Sequence, residues 1–89
     1  MKLLWTQDAW ADYMHWQAVD AKLARRLNEL IRDTLRHPFT GLGKPEPLRS
    51  ELSGWWSRRI TQEHRFVYRV VGAADTQALE VIQCRFHYR

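Results

Sequence analysis

The chain has 89 residues, with 14 Lys and Arg against 10 Asp and Glu, so a single domain spanning 1–89 is the ceiling and the formal net charge is +4. Residues of the set AVILMFWYC make up 45% and charged residues 27%, which is too apolar for a disordered tail, and no apolar run reaches the roughly 18 residues that a membrane span needs. The opening MKLLWTQDAW meets charge and amide before a signal-peptide core can form, and Cys84 is the single cysteine; a disulfide-framed secreted protein and a Cys-based zinc site are set aside, and a reducing cytoplasm is the expected compartment.

Lys2 to Trp5 reads as a short strand, and Thr6 can cap a helix from Gln7 to about Ala18, with Asp8 in its first turn and Trp10, Tyr13, Met14 and Gln17 on one stripe. Asp20 caps a second helix whose Leu23, Ala24, Leu27, Leu30, Ile31 and Leu35 repeat at three and four, and Pro38 stops it. The segment 37–47, HPFTGLGKPEP, holds two Gly and three Pro and reads as a loop. Trp55 to Thr61, Arg65 to Val71 and Ala78 to Tyr88 are β-branched and aromatic runs of strand length, separated by QEH and GAADT. The expected fold is therefore α+β, with two N-terminal helices on one face of a small antiparallel-rich sheet and the other face open to water or a ligand.

Alternation assigns the faces. Phe66, Tyr68 and Val70, then Ile82, Cys84 and Phe86, are expected under the helices, which leaves Arg65, Arg69, Arg85 and His87 on the open face. Of the 14 basic residues 11 are Arg, and residues 44–89 carry eight of the 14 against five acids, so a phosphate-binding surface is expected from the second half. Arg59, Lys44 and Arg49 flank the same surface; a solvated charged face is the alternative reading.

Glu46, between Pro45 and Pro47, is expected to be an extended, exposed carboxylate barred from helix and ladder, and a candidate general base, against the reading of a merely solubilising loop residue. His87, beside Arg85, is a candidate general acid, against the reading of a frayed terminal residue. His15, His37 and His64 show no partner spacing, and neither a metal site nor a cofactor is expected. Cleaving RNA without metal needs a base for the 2′-hydroxyl, cations for the charge at phosphorus and an acid for the leaving 5′-oxygen, and Glu46, Arg65 and His87 supply each type.

The segments MKLLW at the start, GKPEPL at 43–48, LSGWWSRRIT at 52–61, EHRFVY at 63–68 and CRFHY at 84–88 closely resemble the Txe/YoeB family of RelE-like toxins, in order and along essentially the whole chain. The resemblance implies an endoribonuclease acting on mRNA in the ribosomal A site, partnered by the ribosome and by a cognate antitoxin of the YefM/Axe kind; a homodimer is compatible with it and a membrane is not. It implies Glu46 as general base, Arg65 as transition-state stabiliser, His87 as general acid, Tyr88 as the aromatic that holds substrate and Arg59 as a phosphate contact. Two departures keep positive charge: Arg89 extends past the terminal aromatic, and Arg49 stands where lysine is common. The rivals are a noncatalytic RNA- or ribosome-binding module and a toxin-fold protein that acts mainly in repression.

Overall fold

Thr6 starts the first helix, its hydroxyl accepting from the Ala9 N–H at 3.2 Å, and Asp20 ends that helix and starts the next, accepting from the Leu23 N–H at 3.0 Å. In the computed structural model, which describes residues 1–87, the order is β1 (Lys2–Trp5), α1 (Gln7–Val19), α2 (Ala21–Arg36), β2 (Glu46–Pro47), β3 (Trp56–Arg59), β4 (Arg65–Val71) and β5 (Ala78–Gln83). Short 3-10 turns lie at Ser50–Leu52 and Ala74–Thr76. The sheet order is β1-β5-β4-β3-β2: β3 to β5 form the expected three-strand antiparallel meander, β2, from the segment read as a loop, adds antiparallel to β3, and β1 adds parallel to β5. The architecture is α+β, two helices against a mixed sheet.

The core joins Leu23, Ala24, Leu27, Leu30 and Ile31 of α2 to Phe66 and Tyr68 of β4 and Leu79 and Val81 of β5. Two expectations about faces fail. On α1 the buried residues are Ala9, Asp12 and Trp16, whereas Trp10 and Met14 are exposed; the stripe read from Trp10, Tyr13, Met14 and Gln17 is the wrong one, because a buried Asp hid the true one. Asp12 is satisfied there by the Cys84 N–H at 3.2 Å. On the last strand, Val67 pairs with Gln83 but Tyr68 with Val81, so Ile82 is an extra residue in a β-bulge and the alternation changes phase. Cys84 is in the core as expected, but Val81 rather than Ile82 joins it, Phe86 is 46% exposed, and the strand stops at Gln83 rather than at Tyr88. Arg85 is displaced as well: its guanidinium lies over the rings of Trp16 and Phe86, 5.7 and 4.7 Å from their centroids, instead of joining Arg65 and Arg69.

The loop after α2 is held by a residue that lies within β3. Arg58 is fully buried and donates through Nε to the Tyr68 hydroxyl, through one terminal nitrogen to Asp33 at 2.7 Å and to the Leu42 carbonyl, and through the other to the carbonyls of His37 and Thr40. The Leu42 N–H also donates to Asp33. Gly43, at φ +78°, lies against Leu30 and Arg59, where a Cβ would meet the Leu30 side chain at 2.8 Å. Asp33→Ala leaves a buried guanidinium without its carboxylate and should cost about 3 kcal/mol, the low end of the usual range because Asp33 is partly open to water; chemical unfolding measures it.

The same contacts set an acid limb. The Leu42 N–H and the Arg58 guanidinium hold the Asp33 carboxyl below its ordinary value. With the folded pKa depressed, this contribution is complete above the ordinary Asp range and is lost as pH falls through the folded value. Asp33→Asn should therefore narrow the gap to wild type as the pH of the unfolding experiment is lowered.

Candidate active site

Cross-strand register sets one row of residues on the sheet face away from the helices. Glu46 pairs with Ser57, Ser57 with Val67 and Val67 with Gln83, and residues directly opposite on paired strands project to the same side. The row spans three strand spacings, roughly 14 Å. Two residues along, Arg59 pairs with Arg65 on the same face. Glu46 is exposed, as expected, but it does enter a ladder: β2 is a two-residue edge strand, the one place in a sheet where a flanking proline is tolerated.

Ser57, Val67 and Gln83 are buried, so this face is not simply open. The Gln83 side-chain amide donates to the carbonyls of Arg85, Phe86 and His87 at 2.8, 3.3 and 3.2 Å, which folds the segment after β5 back toward the row. His87 is exposed at the end of that segment. Tyr88, expected to hold substrate, lies outside the described residues.

A cleft of about 530 Å³ opens beside the row, lined by Arg26, Gly43, Lys44, Arg59, Ile60, Thr61, Gln62 and Arg65. Four of its eight residues are cations and none is acidic, which suits a phosphodiester. Lys44 is held at φ 54°, and the Arg59 N–H donates to the Gly43 carbonyl at 2.7 Å, so the loop wall and the strand wall are tied together. Arg65 is buried; one terminal nitrogen donates to the carbonyls of Thr61, Gln62 and His64 at 2.9, 3.0 and 3.3 Å, which fixes the plane of its guanidinium.

The other arginines are engaged elsewhere. Arg69 pairs with Glu80 at 2.6 Å and stacks on Trp55 at 4.4 Å, and Arg49 precedes the turn at Ser50–Leu52, away from the cleft lining. Arg26 was not anticipated, because on α2 it reads as part of a solvated face, and Arg58 was missed although adjacent arginines in a strand must point to opposite faces. Among the described residues no three His, Cys, Asp or Glu side chains come together in a metal-ligating group. No helix there is long and apolar enough to cross a membrane.

The family model describing the YoeB-like toxins of bacterial type II toxin–antitoxin systems matches residues 5–88. The chain belongs to the YoeB family. Toxin YoeB of Escherichia coli K12 is 52% identical over 88 residues, covering 99% of this chain and all of that one. Among solved structures, a YoeB/ParE toxin from Agrobacterium tumefaciens superposes with a TM-score of 0.94 at 61% identity, covering 99% and 100% of the two chains. A heterotetrameric YoeB-YefM toxin–antitoxin complex from Staphylococcus aureus contains a chain at TM-score 0.85 and 37% identity, covering 99% and 98%. A YoeB-family chain is thus a toxin of a type II toxin–antitoxin system.

Arg59 and Arg65 face the cleft from different settings, and lysine separates them. Arg59 is exposed and able to act as a point charge, so Arg59→Lys should keep most activity. Arg65→Lys loses both the fixed plane and the loop carbonyl contacts, and should be worse by about tenfold or more in kcat. Equal, mild defects in single-turnover assays would remove the distinction.

Proposed function

We propose that the chain is an mRNA endoribonuclease acting in the ribosomal A site, with the RNA backbone laid across the Glu46–Gln83 row and its phosphates in the Arg59–Arg65 cleft. The observation that carries this reading is the grouping of a carboxylate, a fixed guanidinium and a folded-back segment ending in His87 on one sheet face. Glu46 takes the 2′-hydroxyl proton, and the freed oxygen attacks the adjacent phosphorus. Arg65 stabilises the charge on the five-coordinate phosphorus with help from Arg59 and Lys44, and His87 gives a proton to the leaving 5′-oxygen. The products are a 2′,3′-cyclic phosphate, which opens to a 3′-phosphate, and a 5′-hydroxyl. No metal or other cofactor takes part in this scheme, and Tyr88 stacks on a base.

The proposed protein partner is an antitoxin of the YefM kind, as in the S. aureus heterotetramer, whose disordered segment folds along the toxin; a dimer of this chain has its counterpart in the S. aureus YoeB dimer. The deciding experiment adds the purified chain to translating ribosomes and maps the RNA ends. New 5′-hydroxyl ends within the A-site codon are expected. Binding without new ends would favour a noncatalytic ribosome-binding module.

A further inference from the structure

His64 has no role in the scheme above, yet its side chain meets the one segment that carries His87. Its Nδ1 accepts from the Phe86 backbone N–H at 2.8 Å, and the Phe86 carbonyl in turn accepts from the Arg65 N–H at 2.9 Å. Phe86 is thereby pinned through both of its backbone polar groups to two consecutive residues of the β3–β4 hairpin and β4. It sits at φ 65°, a left-handed conformation that costs about 1 kcal/mol or more in a residue other than glycine and persists only where contacts enforce it. His64 is itself braced: its ring packs edge-on against Trp16 at 4.7 Å, and its backbone N–H donates to the Thr61 hydroxyl at 3.1 Å. Trp16 closes the circuit by donating from Nε1 to the Cys84 carbonyl at 2.8 Å. Beyond Phe86, the Gln83 amide gathers the carbonyls of residues 85–87.

We infer that His64 and Gln83 are positioning residues that together hold the left-handed turn at Phe86 and so aim His87 at the reacting phosphate. Since Nδ1 accepts, the imidazole is in the tautomer protonated at Nε2. The inference rests on the role proposed for His87, so its test needs one readout that is independent of cleavage. Arg85 supplies it: trypsin cuts after Arg85 only if the turn opens, and mass spectrometry then detects loss of residues 86–89.

His64→Phe keeps an aromatic ring against Trp16 and lacks the acceptor; His64→Asn keeps an acceptor near the place of Nδ1 and lacks the ring. With cleavage assayed on translating ribosomes, His64→Phe should lower kcat about tenfold with KM within about twofold, and speed the loss of residues 86–89 about tenfold, as expected for losing one hydrogen bond that holds a locally opening turn. His64→Asn should restore most of both. Gln83→Glu, which turns a carboxylate oxygen toward the three carbonyls, should open the turn by an independent route. Wild-type resistance to trypsin in His64→Phe and in Gln83→Glu would overturn the inference, as would faster clipping with unchanged kcat while His87→Ala is inactive. If His87→Ala cleaves normally, the acid role has failed instead, and clipping alone then decides whether the turn is held as described.

Discussion

Replacing the 2′-hydroxyl by hydrogen on the nucleotide 5′ to the cut should abolish cleavage and leave ribosome-dependent binding within about twofold. The proposed chemistry draws its nucleophile from the substrate, and the deoxy position has no oxygen to deprotonate, so no rearrangement of Glu46 can rescue it. Binding should survive because the cations that line the cleft, Arg26, Lys44, Arg59 and Arg65, are proposed to hold phosphates, and the substitution leaves every phosphate in place. Continued cleavage at the same bond would mean that water attacks, and the roles given to Glu46 and His87 would both be withdrawn.

Glu46→Ala and His87→Ala should each lower kcat by about 10² to 10⁴ with little change in KM, the usual worth of a positioned proton acceptor or donor that makes few ground-state contacts. Both side chains are exposed and neither lies in the core, so the two variants should unfold at the wild-type denaturant concentration, which separates loss of chemistry from loss of fold. The double variant should be little worse than the poorer single one if the two act in the same step. A parallel loss of binding and rate would reassign them to docking.

Much of this architecture can be read in the chain because local physics and the fold agree. Thr6 and Asp20 cap where hydroxyl and carboxylate caps are favoured, and α2 has an uninterrupted apolar stripe, so both boundaries and one buried face follow from spacing alone. What escaped was decided by contacts distant in sequence. Asp12 belongs to the buried stripe of α1 only because the Cys84 N–H, 72 residues on, satisfies it. The bulge at Ile82 breaks the alternation, so that Cys84 is buried as expected while Phe86 is exposed and Arg85 turns aside, without any glycine or proline to announce it. The candidate site was legible only as residue types that fit a base, a cation and an acid, Glu46, Arg65 and His87, whose proposed roles come from the resemblance. Its supports, Arg58, His64 and Gln83, were not, since a buried arginine, an accepting imidazole and a donating amide look like ordinary surface residues until their partners are known.

The parallel pairing of β1 with β5 has a consequence for the order in which the chain can become dangerous. Translation delivers β1 first and β5 near the end, yet β5 lies between β1 and β4, so the first strand made has no sheet to join until the last strand made has arrived. Trp16 and Asp12 likewise wait for Cys84 to complete their hydrogen bonds. A partly synthesised chain therefore holds neither the sheet nor the His87 segment, and its long-range closures make folding a late event. Under the proposed function, a ribosome making this protein would be shielded from it until synthesis is nearly complete, leaving an interval in which the proposed antitoxin can meet the chain as it closes.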